Sequence, residues 1–167
     1  MAQTKLQKLN QTPKIWLDLQ LCENIYENFR NQLKFQEPLK SFDTRYPNRL
    51  ESILGSVEQT FDGKLLYPTV LCVAASYFYK INCTHPFENG NKRMCILFTD
   101  AFLFFHNLEW RLPRKDMYEL ARFVADQSQN SDLEKQDVYE LCKLIIADTT
   151  GERKNIFSSA IATLLRR

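Results

Sequence analysis

The chain has 167 residues, 44% hydrophobic and 25% charged, so it is large enough for one domain with a proper core. Its formal net charge of +2 is too small for nucleic-acid binding to follow from the overall balance, and no direct nucleic-acid contact is expected. Only four glycines and six prolines punctuate it, which excludes a turn-rich β architecture and favours an all-α fold. The N-terminus is polar from its first residues and lacks the flanks of a signal peptide. The two most apolar runs carry Lys80 just after one and Asp100 inside the other, so no membrane association is expected. The five cysteines form no C-x-x-C pair, and three lie in apolar helical patterns where a thiol acts as a small hydrophobe. This usage fits a reduced, cytoplasmic protein.

Residues 1–12, rich in Gln, Asn and Lys, read as a flexible tail, and residues 13–167 as a single domain. After Pro13, Ile15, Trp16, Leu19, Leu21, Cys22, Ile25 and Phe29 recur at helical spacing. The stretch from Phe35 to Pro47 has no clear period and reads as a connecting loop. Asn48 is a candidate cap for a helix from Arg49 that carries the stripe Leu50, Ile53, Leu54 and Val57. Phe61-Asp62-Gly63-Lys64 is a turn, either a short β-hairpin or an irregular connector. Pro68 suits the first turn of the next helix, which should end near Asn82. A second apolar helix runs from about Asn91 to His106-Asn107, and Pro113 opens another with Met117, Leu120, Phe123 and Val124 inward. Ser131-Asp132-Leu133-Glu134 has capping-box spacing before a helix with Val138, Leu141, Cys142, Leu144 and Ile145. A last helix is expected over 150–166.

Between the two apolar helices lies His85-Pro86-Phe87-Glu88-Asn89-Gly90-Asn91-Lys92-Arg93. Gly90 can take backbone angles closed to other residues, so that main-chain N–H groups converge on a ligand. The next helix starts at Asn91 or Lys92, and its first-turn N–H groups and positive dipole end attract anions. Lys92 and Arg93 in that turn oppose the helix dipole, an arrangement that makes sense before a polyanion. Asn91 adds an amide donor, and Arg93 can grip two phosphate oxygens. His85 is the nearby side chain suited to accept a proton near neutral pH, and Phe87 reads as a core anchor. A base beside a phosphate cradle suggests deprotonation of a hydroxyl that attacks phosphorus.

These nine residues resemble the H-P-F-x-[DE]-G-N-[GK]-R motif of the Fic/Doc superfamily. Lys92 resembles its Doc (death-on-curing) toxin branch. Asn48-Arg49-Leu50-Glu51-Ser52-Ile53-Leu54-Gly55, Leu66-Tyr67-Pro68-Thr69 and Phe102-Leu103-Phe104-Phe105-His106-Asn107 are similar to other parts of that family, over roughly 45–146. The resemblance implies a compact helical bundle with the motif loop between two buried central helices, and ATP and Mg²⁺ as cofactors. It makes His85 the general base and Phe87 the anchor. Gly90 and Asn91 become the anion cradle, with Lys92 and Arg93 on the phosphates, and the turn Phe61, Asp62, Gly63 and Lys64 becomes a flap for the target's backbone.

Fic enzymes transfer AMP to a protein hydroxyl, whereas Doc-type toxins resemble kinases that phosphorylate elongation factor Tu and stop translation. AMP-transferring members carry Gly at the position of Lys92 and a further Arg at the position of Ile96, so phosphotransfer is favoured here. Asn89 stands where the family places an Asp or Glu for Mg²⁺, and Asn is a weaker ligand for a hard cation. Three readings therefore stay open: a Doc-like kinase, an adenylyltransferase, or a binding module with weakened catalysis. The self-restraining string [ST]-x-x-x-E-[GN] occurs only at Thr84 through Asn89, inside the motif, so a separate antitoxin partner is expected. The segment Thr149–Arg167 either packs on the bundle or mediates homo-oligomerisation.

Overall fold

The structure, a computed structural model, describes residues 4–32, 37–130 and 134–153. These residues form seven α-helices: α1 (Lys5–Asn10), α2 (Leu19–Gln32), α3 (Arg49–Val57), α4 (Val70–Thr84), α5 (Asn91–Phe105), α6 (Arg114–Asn130) and α7 (Lys135–Thr149). Two short antiparallel ladders accompany them, β1 (Thr60–Phe61) with β2 (Lys64–Leu65), and β3 (Leu108–Trp110) with β4 (Thr150–Glu152). The expected all-α bundle is what forms. No helix among the described residues is long and apolar enough to cross a membrane.

The bundle is built around α4, which packs against α5, α3, α6, α7 and α1. A helix apolar on every side has to be surrounded. Val70, Val73, Ala74, Ala75, Tyr77, Phe78 and Ile81 are all fully buried on it. Its partner α5 buries Met94, Cys95, Phe98, Phe102 and Leu103. Tyr77 meets Phe102 edge-on at 5.2 Å, and Phe78 meets Trp110 at 5.5 Å. Burying side chains of this size is worth about 1.5–3 kcal/mol each. The α4–α5 pair therefore holds the loop between them in one place.

Local chemistry sets where the helices begin. Asp18 Oδ1 accepts from the N–H of Leu21 at 2.7 Å, so α2 starts at Leu19 instead of directly after Pro13. The residues before it run along α4, with Leu17 N–H donating to Tyr77 Oη and Val70 N–H to the Gln11 carbonyl. Thr69 Oγ1 caps α4 at the Cys72 N–H, which leaves Pro68 outside the first turn where it was expected. That helix runs on to Thr84, past Asn82, whose side chain instead donates to the Ala121 carbonyl. Asn48 precedes α3 in a left-handed conformation, but its side chain makes no capping bond. Glu134 stands at the cap of α7, while Ser131–Leu133 of the expected capping box lie outside the described residues.

Two stretches near the chain ends differ from the sequence expectation. Residues 5–10, expected as part of a flexible tail, form α1, because Thr4 and Gln7 close a reciprocal capping box and Leu9 is buried. Thr150–Glu152, expected to begin a helix, instead pair with Leu108–Trp110 as β4. Trp110 Nε1 donates to Thr149 Oγ1 at 2.9 Å beside this ladder. The partner strand lies some forty residues upstream, a separation that a local periodicity cannot register. The rest of that expected helix, 154–166, lies outside the described residues.

Docking of α1 is testable. Leu9→Ala should lower unfolding stability by about 2–5 kcal/mol, the usual cost of a truncated core leucine, in urea titrations. A change below about 0.5 kcal/mol, the range of surface substitutions, would show that α1 contributes nothing to the core.

Candidate active site

The motif loop is shaped by its own backbone and by two anchors. α4 ends with the His85 N–H on the Ile81 carbonyl at 3.2 Å, and His85 itself takes a left-handed conformation with φ 49°. That conformation costs a non-glycine residue about 1–2 kcal/mol, so the surroundings must enforce it. Phe87 is the first anchor. It is buried, stacks on Tyr26 at 5.1 Å, and lies 6.0 Å from Phe42 and 6.1 Å from Phe98. Asn91 is the second. Its Oδ1 accepts from the Phe87 N–H at 2.9 Å and its Nδ2 donates to the Phe87 carbonyl at 2.8 Å. The side chain read from sequence as a donor toward a ligand thus closes the loop, leaving the Asn91 main-chain N–H at the start of α5.

Gly90 follows with φ 79°, and a Cβ there would run into the Leu39 Cδ2 methyl and lie 3.3–3.4 Å from the Arg93 guanidinium. Glycine is required by both conformation and space. The Met94 N–H closes the first α5 turn on the Gly90 carbonyl, and the N–H groups before it are the helix's ordinary anion-attracting donors. Lys92 and Arg93 diverge from that turn. Lys92 is close enough to act on the His85 ring, whereas Arg93 Nη1 donates to the Glu37 carbonyl at 3.2 Å.

A segment that the sequence reading passed over as loop runs across the motif. Glu37 accepts from Arg93, the Pro38 carbonyl accepts from Asn89 Nδ2 at 3.2 Å, Leu39 packs at Gly90, and Lys40 pairs with Glu88. Neither Glu37 nor Pro38 carries a sequence signal for its contact, because a main-chain carbonyl does the binding in each.

The ring of His85 is half-buried. Burial, then the positive charges of Lys92 and Arg49, hold its pKa below the ordinary histidine value. A neutral imidazole at pH 7 can accept a proton. Asn89 bears on the metal question. With Nδ2 on Pro38, its buried Oδ1 has no hydrogen-bond partner. An orphaned amide oxygen fits one ligand position of a hard cation. No group of three or more His, Cys, Asp or Glu able to hold a metal occurs among the described residues, so most of the coordination would have to come from phosphate oxygens and water.

A cleft of about 370 Å³ opens beside Arg93 between α2, α5 and α6, with Ile96, Asp100, Arg114 and Tyr118 in its wall. Burial raises the Asp100 carboxyl above the usual carboxylate range, against the pull of Arg114. The Phe61–Lys64 turn is a true hairpin. Asp62 and Gly63 both have positive φ, as a two-residue turn of matching twist needs, and Phe61 is exposed at its edge.

Two buried helices joined by a loop with a histidine, a left-handed glycine and a cationic helix start define a helical protein that mounts a polar loop on its core. The model of the Fic/DOC family matches residues 15–103, more than half of the chain, and the chain belongs to that family. The match begins well before the expected residue 45 and ends short of 146. No curated relative and no solved structure matches the chain. Membership supports ATP-dependent protein modification by a transferase-type enzyme in general, with nucleotide and metal binding, protein substrates and antitoxin partnership as family features.

The loop clamp makes a direct prediction. Asn91→Ala strands both polar groups of the Phe87 backbone and should cost about 1–3 kcal/mol in chemical denaturation. Unchanged stability would mean that the loop is held without the clamp.

Proposed function

We propose that this chain is a Doc-like protein kinase that moves the terminal phosphate of ATP onto a hydroxyl of a target protein. The observation that carries the choice is Ile96. An aliphatic side chain in the wall of the cleft beside Arg93 replaces the second arginine of the AMP-transfer geometry. In this reading His85 takes the proton of the target hydroxyl, whose oxygen bonds to the γ-phosphorus while the bond to the bridging β,γ-oxygen breaks and ADP leaves. Gly90 and the first-turn N–H groups from Asn91 onward cradle the phosphates, and Lys92 and Arg93 offset their charge. Asn89 Oδ1 would hold a Mg²⁺ ion, whose role is to neutralise phosphate charge. The hairpin Phe61–Lys64 would pair with the backbone of the target, elongation factor Tu or a protein like it, in the cytoplasm. A separate antitoxin would cover the site until needed.

Labelled ATP with cell extract tests the reaction. Label should pass to protein from the γ position only. Transfer from the α position would make the chain an adenylyltransferase, and ATP binding without transfer would leave a binding module. His85→Ala should lower transfer by about 10²–10⁴-fold, the usual contribution of a general base, with the fold intact. In the wild type, transfer should fall with pH only below the ordinary histidine value of 6.5, because the folded pKa lies beneath it.

Asn89→Asp separates the metal question. It adds a charged oxygen where a neutral one stands and should tighten Mg²⁺ dependence at constant ATP. An unchanged Mg²⁺ requirement would mean that the phosphates already supply the coordination.

A further inference from the structure

Arg49 opens α3, thirty-five residues before the end of α4, yet its guanidinium reaches the motif. Nη1 donates to the carbonyls of Thr84 and His85, each at 3.2 Å. Next to it the Tyr46 N–H donates to the Pro86 carbonyl at 2.8 Å. Three consecutive carbonyls, of Thr84, His85 and Pro86, are therefore taken by one short segment of chain. The first belongs to the last turn of α4, where carbonyls have no partner within the helix and where a positive charge is favoured by the dipole.

The segment is itself braced. The Arg49 guanidinium lies 4.4 Å over the Tyr46 ring. Arg45 pairs with Glu51 at 2.7 Å and lies 4.4 Å over Phe42, which in turn borders Phe87. The Phe42 N–H donates to Glu27 Oε1 at 2.9 Å, tying the far end of the brace to α2. So the residue in the costly left-handed conformation, His85, is gripped on its carbonyl by an exposed side chain that stacks on Tyr46, whose own N–H holds the next carbonyl.

We infer that Arg49 is a positioning residue for His85: it fastens the carbonyls that end α4 and so fixes where the imidazole stands over the motif loop. This rests on His85 being the base of the proposed transfer, but the contact itself does not. Arg49 has a second effect by the same proximity. Arg49 from α3 and Lys92 from α5 are the charges that act on the ring, and both favour its neutral form. Removing Arg49 leaves Lys92 and burial to do this alone.

The experiment uses the two histidines of the chain. His106 is a built-in reference, because its Nε2 accepts from the Lys14 N–H and its Nδ1 therefore donates to the Phe102 carbonyl, remote from Arg49 in the fold. Both rings are titrated by NMR in wild type, Arg49→Gln and Arg49→Lys. In Arg49→Gln the His85 pKa should rise toward its ordinary value while His106 titrates as before, which also reports an intact fold. Arg49→Lys keeps the charge and should restore the low His85 pKa. Where the wild type transfers phosphate, Arg49→Gln should lose about 10²-fold in kcat with KM for ATP unchanged, since small misplacements of a reacting group have that effect.

A His85 titration identical in wild type and Arg49→Gln would overturn the inference. Should Arg49→Gln fail to fold, Arg49→Lys alone decides. A preserved low pKa with reduced kcat supports positioning, and unchanged kcat refutes it. If the wild type transfers nothing, the titration still decides the role of Arg49, so the two readings fail separately.

Discussion

Phe87 reaches into the core between Tyr26, Phe42 and Phe98, and Asn91 holds its peptide N–H and carbonyl at once. The rest of the site depends on this pair of contacts. An aromatic side chain buried at the middle of a loop leaves the residues on either side little freedom. It sends His85 and Pro86 up to α3 and Glu88–Gly90 across to the Glu37–Lys40 segment. The α4–α5 pair supplies the fixed ends, and the anchor supplies the fixed centre. A polar loop held at three points is preorganised.

Charge is distributed around this loop with a clear division. Arg49 and Lys92 bear on His85, and Arg93 turns to the other side, toward Glu37 and the cleft with Asp100. Two adjacent residues on a helix point in directions about 100° apart, so Lys92 and Arg93 serve different walls of the same site. Burial first, and the positive surroundings after it, favour the neutral form of the histidine. Cations beside a general base make it a weaker base in water, yet they keep it unprotonated at neutral pH and favour the anions that would lie in front of it.

Asn89 sits between these groups with a buried oxygen that nothing satisfies. Buried polar atoms without partners are uncommon and each asks for an explanation. A cation shared with phosphate oxygens would satisfy it. The neighbouring carboxylate, Glu88, pairs with Lys40 on the exposed side of the loop.

Much of the molecule was legible in its sequence. Apolar periodicity marked α3 through α7, Asp62-Gly63 marked a turn without deciding between a hairpin and a connector, and the nine motif residues marked the family. Sequence alone determined these because each is encoded by neighbours: a stripe, a turn pair, a contiguous string. Only the tertiary structure decided that Leu9 is core, that Thr150–Glu152 pair with Leu108–Trp110, that Asn91 clamps the loop, and that Arg49 and Glu37–Lys40 grip the motif. Apart from the Asn91 clamp, which spans four residues, those contacts join residues far apart in the chain, and several end on main-chain carbonyls. Every residue carries a carbonyl, so no residue type announces which one will be used.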